Sequence, residues 1–91
     1  MDALKANLET VESPRRVTIL GSTGSVGCNT VDLIERNRAL YVIEALTANN
    51  NVELLAEQAR RLKPRKAVVA EQRHYAELKA ALSGSGVEAA A

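Results

Sequence analysis

Three glycines, each separated from the next by two residues, follow directly on a run of β-branched and aliphatic residues. The run occupies residues 15–20, the glycine segment residues 21–27, and an apolar helical pattern comes after it. A strand, a glycine turn and a helix in this order form the arrangement that cradles a dinucleotide pyrophosphate. Gly21 permits a sharp turn, Gly24 leaves room for phosphate against the backbone, and Gly27 permits close helix–strand packing. The alternative is a tight strand-to-helix turn that binds nothing.

Composition supports an α/β domain and excludes some partners. Of the 91 residues 46% are apolar, Phe and Trp are absent, and the net charge is +1. Small aliphatic side chains fill the centre of a parallel sheet. Basic residues are spread along the chain and no apolar run reaches spanning length, so neither nucleic acid nor a membrane is expected as a partner. Cys28 is the only cysteine, which excludes an internal disulfide and favours a reducing compartment, so we predict a cytoplasmic location.

Strands and helices alternate along the chain after residue 14. The predicted strands are 17–20, 41–48 and 66–70, and the predicted helices are 25–37, 52–63 and 72–82. Because helices connect successive strands, the sheet is parallel. The predicted fold class is α/β, a three-layer Rossmann-like parallel sheet, here as a βαβαβα half-domain with strand order 3-2-1.

The same patterns predict burial and domain organisation. The first strand is expected to be buried on both faces, and the first helix to face inward with Val26, Thr30, Leu33 and Ile34. Residues 87–91 carry no predicted element. Residues 1–14 are predicted to be an N-terminal extension, and residues 15–91 the N-terminal part of an NADP-binding Rossmann-like domain. Half of such a fold leaves the first strand unpaired at one edge, so we expect a fragment of a longer enzyme.

The turn after the second strand indicates which cofactor is preferred. In NAD-binding versions of the fold, a carboxylate about 20 residues beyond the glycines accepts a hydrogen bond from the ribose 2′-hydroxyl. Residues 47–51 contain no Asp or Glu, and Glu44 falls inside the strand. Three asparagines and the N–H groups of the next helix can donate to a 2′-phosphate, which favours NADP. Asn51 is also placed to cap that helix. The alternative to cofactor recognition is that the asparagines only form a turn and a cap.

Residues 16–30, which read RVTILGSTGSVGCNT, closely resemble the N-terminal segment of 1-deoxy-D-xylulose 5-phosphate reductoisomerases, enzymes of the methylerythritol phosphate route to isoprenoids. The likeness continues through residues 45–48, the helix start at Asn51 and residues 64–69. The resemblance implies an NADPH-dependent enzyme that rearranges and reduces a sugar phosphate with Mg²⁺ or Mn²⁺. It also implies a homodimer for the full-length parent.

Cofactor contacts are predicted in the glycine turn and in the asparagine turn. The predicted residues are Gly21, Ser22, Thr23, Gly24, Ser25, Val26, Asn49, Asn50 and Asn51. Many family members have Gly followed by Lys or Ser at the positions of Asn49 and Asn50, so Asn51 matches the family best.

No catalytic residue or metal ligand is predicted within the chain. The resemblance implies that the metal ligands and the substrate-phosphate site lie beyond the matched residues, so the chain alone is expected to be inactive. Two alternatives remain: the N-terminal part of another NADP-dependent reductase, such as a semialdehyde dehydrogenase, or a nucleotide-binding module that is not an enzyme.

Overall fold

The structure, a computed structural model, describes residues 15–91, so the predicted extension at residues 1–14 lies outside the described residues. Strands and helices alternate from the first described residue to the last. The elements are β1 (Arg15–Ile19), α1 (Ser25–Arg36), β2 (Tyr41–Ala48), α2 (Val52–Leu62), β3 (Lys66–Val69), α3 (Tyr75–Ala81) and β4 (Glu88–Ala90), with 3₁₀ turns at Arg38–Leu40 and Gln72–His74.

The four strands form one parallel sheet in the order β1-β2-β3-β4. The predicted parallel α/β sheet with β1, β2 and β3 side by side is therefore confirmed. Every crossover moves in the same direction across the sheet, and such crossovers are right-handed, so the three helices cover one face. Residues 15–91 thus supply the sheet and one helix layer of the predicted three-layer fold. None of the helices in these residues is both long and apolar enough to cross a membrane.

The fourth strand is a feature that the sequence patterns missed. β4 pairs in parallel with β3, and Ala89 lies opposite Ala67. Glu and Ala have low strand propensity, so Glu88–Ala90 gives no local strand signal. Pairing with β3, together with the burial of Val87 next to it, places these residues in the sheet.

The expectation that the first strand is buried on both faces is wrong for the described residues. Ile19 is the one buried residue of β1, and Leu20, just beyond it, is 77% exposed. The helices of the described residues cover only one face of the sheet, and β1 also stands at the edge of that sheet.

The inward face of α1 also differs from the prediction. Gly27, Val31 and Ile34 are its buried residues, whereas Val26 and Leu33 are 77% and 57% exposed. The spacing of the buried positions is i, i+4 and i+7, one helical stripe. Gly27 is the residue that approaches the glycine turn, so the stripe containing this glycine faces the sheet.

A bulge in β2 aligns the core between the sheet and the helices. Val17 lies opposite Ile43 and Thr18 opposite Ala45, so β2 carries one extra residue at this point. The extra residue shifts the alternation, and Ile43 and Leu46 are consequently both buried.

Helix α2 matches its prediction closely. Its buried residues include the predicted apolar stripe of Val52, Leu55, Ala56, Ala59 and Leu62. The helix ends at Lys63, whose φ of 54° is left-handed, and Pro64 prevents its continuation.

Candidate functional site

The glycine turn lies at the carboxyl end of β1 and leads directly into α1. Gly21 has a φ of +65°, a left-handed conformation that favours glycine. The N–H of Gly24 donates to the carbonyl oxygen of Gly21 at 3.1 Å, and the N–H of Cys28 donates to that of Gly24 at 2.7 Å. The chain therefore reverses within four residues and begins the helix at once.

The other two glycines, Gly24 and Gly27, differ in whether the protein leaves room for a Cβ atom. A Cβ atom on Gly27 would overlap the carbonyl oxygen of Gly21 and lie 2.7 Å from the Cα of Ser22. A Cβ on Gly24 would have only an ordinary contact, 3.5 Å from the carbonyl oxygen of Gly21. Packing therefore requires glycine at position 27 and leaves space at position 24. This open space is where a ligand can approach the backbone.

The start of α1 presents free donors. Gly24 occupies the N-cap position, no side chain caps the helix, and its first turn contains no acidic residue. The first N–H groups of a helix have no partner within the helix, and they carry its positive dipole end. Ser25 and Val26 are exposed at this point. The arrangement suits an anion.

Thr47, at the end of β2, holds the first half of the glycine turn. Its hydroxyl oxygen accepts a hydrogen bond from the N–H of Gly21 at 2.9 Å. Its carbonyl oxygen accepts one from the N–H of Ser22 at 2.8 Å. Ser22 is fully buried, so its side chain lies on the protein side of the turn, whereas Gly24, Ser25 and Val26 lie on the outer side.

The asparagine turn follows β2 at the same edge of the sheet as the glycine turn, because both follow the carboxyl ends of parallel strands. Asn49, Asn50 and Asn51 are all exposed. The side chain of Asn51 accepts a hydrogen bond from the N–H of Leu54 at 3.2 Å, so the predicted N-cap of α2 is confirmed. The side chains of Asn49 and Asn50 stand at the open edge beside it.

Glu44 of β2 pairs away from this edge, whereas Glu53 and Glu71 follow the carboxyl ends of β2 and β3 at it. Glu71 pairs with Arg73 at 3.0 Å. Glu44 pairs with Arg16 at 3.2 Å and with Arg65 at 3.7 Å. Glu53 is exposed in the first turn of α2. Glu53 lies two residues beyond Asn51, outside the segment 47–51 in which a ribose-binding carboxylate was expected.

Gln58 contacts the glycine turn, although the sequence patterns did not predict a role for it. It is 1% exposed, and its side-chain Nε2 donates to the carbonyl oxygen of Ser22 at 2.9 Å. The same nitrogen lies 3.7 Å from the Sγ of Cys28. The signal for it is a polar side chain within the apolar stripe of α2, three residues after Leu55 and four before Leu62.

An open groove adjoins the glycine turn along the free side of β1. Its walls include Val17, Leu20, Gly24, Val26 and Thr30. Among residues 15–91, no three His, Cys, Asp or Glu side chains are grouped so that they could hold a metal ion. The groove and the uncapped start of α1 lie side by side at the carboxyl end of β1.

A comparison with protein families matches residues 17–91 to the family model described as 1-deoxy-D-xylulose 5-phosphate reductoisomerase. Two curated relatives carry that same name. The protein from Sinorhizobium fredii is 57% identical over 82 residues, which are 88% of this chain and 21% of the relative. The protein from Rhodospirillum centenum is 61% identical over 77 residues, 85% of this chain and 19% of the relative. The chain spans about a fifth of the length of the curated relatives it matches.

Solved structures agree with this match. The 1-deoxy-D-xylulose 5-phosphate reductoisomerase from Zymomonas mobilis, in complex with NADPH, superposes with a TM-score of 0.84 at 55% identity. The match covers 86% of this chain and 21% of that one. A second reductoisomerase, in complex with NADPH, fosmidomycin and magnesium, superposes with a TM-score of 0.76 at 28% identity, covering 85% and 19%.

Proposed function

This chain belongs to the 1-deoxy-D-xylulose 5-phosphate reductoisomerase family, and we propose that residues 15–91 form the N-terminal part of its NADPH-binding domain. The proposed parent enzyme rearranges and reduces 1-deoxy-D-xylulose 5-phosphate to 2-C-methyl-D-erythritol 4-phosphate in isoprenoid biosynthesis. Membership of this family favours the reductoisomerase over a semialdehyde dehydrogenase, and the names of the curated relatives support an enzyme over a module that only binds nucleotide.

The observation that carries the proposal is the difference between Gly24 and Gly27. Packing of the protein accounts for the glycine at position 27, where a Cβ would overlap the backbone, and does not account for the one at position 24. A pyrophosphate that lies against the backbone at this point explains why residue 24 is a glycine. The adjacent start of α1 supplies uncapped N–H groups and no acidic side chain to repel phosphate.

In the proposed complex, each turn has a separate task. The backbone from Thr23 to Val26 binds the pyrophosphate, with Gly21 setting the turn and the buried Ser22 supporting it from the protein side. Asn49 and Asn50 face the 2′-phosphate, and Asn51 holds the helix whose first N–H groups lie beside it. NADPH, when bound, supplies the hydride for the reduction.

The remaining parts of the proposed reaction lie outside the described residues. The chain spans about a fifth of the length of its curated relatives, and the Mg²⁺ or Mn²⁺ ligands and the sugar-phosphate site are proposed to belong to the rest of the parent. The 91-residue chain by itself is proposed to be inactive. The parent is proposed to be a cytoplasmic homodimer, and light scattering of the full-length protein tests the dimer.

Titration of NADPH against the full-length parent and its Gly24→Val variant tests the proposed site. Two methyl groups at position 24 fill the space against the backbone, so NADPH binding should be lost while the thermal denaturation midpoint stays close to that of the wild type. Gly84→Val is a control for the added side chain, because a Cβ at Gly84 meets nothing within 4 Å and Gly84 lies beyond α3, away from the turn. Valine is strained at the φ of +78° found there, so this variant should be less stable than the wild type but should bind NADPH with unchanged affinity. An unchanged titration of Gly24→Val would contradict the proposal.

A further inference from the structure

We infer that Gln58 is a positioning residue for the pyrophosphate-binding backbone, an inference that rests on the proposed NADPH site. Gln58 lies on α2, two turns after the asparagine turn, and is 1% exposed. Its Nε2 donates to the carbonyl oxygen of Ser22 at 2.9 Å. Gln58 thus connects the helix that begins at the 2′-phosphate side of the site to the turn that binds the pyrophosphate.

The hydrogen bond orients one peptide group. A trans peptide is planar, and its carbonyl and N–H groups point in opposite directions. Because the carbonyl of Ser22 points toward Gln58 in the core, the N–H of Thr23 points away from the core. This is the direction from which a phosphate approaches the turn. Gln58 therefore presents the N–H of Thr23 to the cofactor without touching the cofactor itself.

Three residues, Thr47, Gly27 and Gln58, together prevent the Ser22–Thr23 peptide from rotating. Thr47 accepts from the N–H groups of Gly21 and Ser22, and these bonds hold the residues before the peptide. Gly27 packs against Gly21 and Ser22 and holds the helix after it. Gln58 is the only one of the three residues that contacts the carbonyl of Ser22 through a side-chain hydrogen bond.

The buried amide of Gln58 is unusual for a purely structural group. Its Oε1 atom is buried and has no hydrogen-bond partner among residues 15–91. Half of this amide is therefore unsatisfied, and such a group costs stability. An apolar side chain of the same length would remove this unsatisfied oxygen but would leave the Ser22 carbonyl without its donor, so what the amide contributes is the hydrogen bond that orients the Ser22–Thr23 peptide.

The test uses the full-length parent, its Gln58→Met and Gln58→Leu variants, and three ligands. Neither a thioether nor an aliphatic side chain donates to the Ser22 carbonyl. The dissociation constants of NADPH and NADH should both rise about tenfold, the factor expected for losing one positioning hydrogen bond. The dissociation constant of adenosine 2′-monophosphate, which lacks the pyrophosphate, should stay within about twofold of the wild-type value.

Leu55→Ala is the control on the same helix. Leu55 is fully buried in the core, so the variant should lower the denaturation midpoint and leave the NADPH dissociation constant unchanged. This separates loss of stability from loss of peptide orientation.

The possible outcomes distinguish a failure of the proposed NADPH site from a failure of the inference about Gln58. A wild-type parent that does not bind NADPH overturns the proposed function and this inference with it. A wild-type parent that binds, with Gln58 variants of unchanged affinity, overturns the inference alone. The same holds if all three ligands weaken equally, or if both variants lose cooperative unfolding, because Gln58 would then maintain the fold in general.

Discussion

The hydroxyl of Thr47 accepts a hydrogen bond from the N–H of Gly21 at 2.9 Å. This contact joins the end of β2 to the turn that follows β1, between residues 26 positions apart in the chain. It determines where the glycine turn sits relative to the asparagine turn, which begins two residues after Thr47. Thr47 therefore anchors the glycine turn to the strand that leads into the asparagine turn, so it links the two halves of the proposed cofactor site.

Replacing Thr47 with valine tests that anchor. Thr47→Val keeps the shape of the side chain and removes the acceptor, leaving the N–H of Gly21 unpaired. We expect a loss of about 1 kcal/mol in stability and a weaker NADPH affinity in the full-length parent. Thermal denaturation and NADPH titration measure the two effects. Thr47→Ser retains the hydroxyl and should bind NADPH as the wild type does; equal affinities in all three proteins would exclude a role for the anchor in binding.

Two alanine substitutions in the glycine turn should have opposite consequences. Gly27→Ala places a Cβ in overlap with the carbonyl oxygen of Gly21 and should destabilise the protein by about 1–3 kcal/mol. Gly24→Ala meets only an ordinary contact, at a φ of −75° that alanine adopts readily. It should leave stability nearly unchanged and weaken NADPH binding. Denaturation and titration of the same two variants provide the comparison, and a stable Gly27→Ala variant would refute the packing argument.

Asn50 is predicted to contribute to the choice between NADPH and NADH. Asn50→Asp adds a negative charge beside the 2′-phosphate and an acceptor for a free 2′-hydroxyl. At an exposed site the repulsion is about 1 kcal/mol for a close charge pair and larger if the pair is partly desolvated. We therefore expect the ratio of the two dissociation constants to shift about tenfold toward NADH.

The control for Asn50→Asp is Asn37→Asp, which makes the same charge change at the far end of α1. Its ratio of dissociation constants should equal that of the wild type. If Asn50→Asp also leaves the ratio unchanged, recognition of the 2′-phosphate belongs to Asn49, to Asn51 or to residues outside this chain.

Arg38 should stabilise the fold far from the cofactor site. Its guanidinium donates to the carbonyl oxygen of Leu62 at 3.0 and 2.7 Å and to that of Tyr41 at 2.6 Å. Arg38→Met should lower the free energy of unfolding by about 1–3 kcal/mol, because the carbonyl groups of Leu62, at the end of α2, and of Tyr41, at the start of β2, lose their donors.

Arg36→Met is the matched control for Arg38. Arg36 forms an exposed pair with Asp32 at 3.1 Å, and such pairs contribute about 0–1 kcal/mol. Chemical denaturation of both variants measures the difference, and equal losses would contradict the assignment. Neither substitution should alter NADPH affinity.

Local sequence patterns were sufficient for much of this fold. The alternation of strands and helices, the glycine turn and the boundaries of α2 all depend on neighbours within a few residues. Asn51 was correctly predicted as an N-cap because capping joins a side chain to an N–H three residues away. The parallel order of the first three strands followed from the same alternation.

Contacts between distant residues decided the rest. The inward face of α1 depends on the approach of Gly27 to Gly21, which overrides the apolar pattern of Val26 and Leu33. β4 forms because β3 offers a partner for residues of low strand propensity. Thr47 and Gln58 reach the glycine turn across 26 and 36 positions of chain. Local propensity cannot predict such contacts, because they form only when the sheet has brought the carboxyl ends of its strands together.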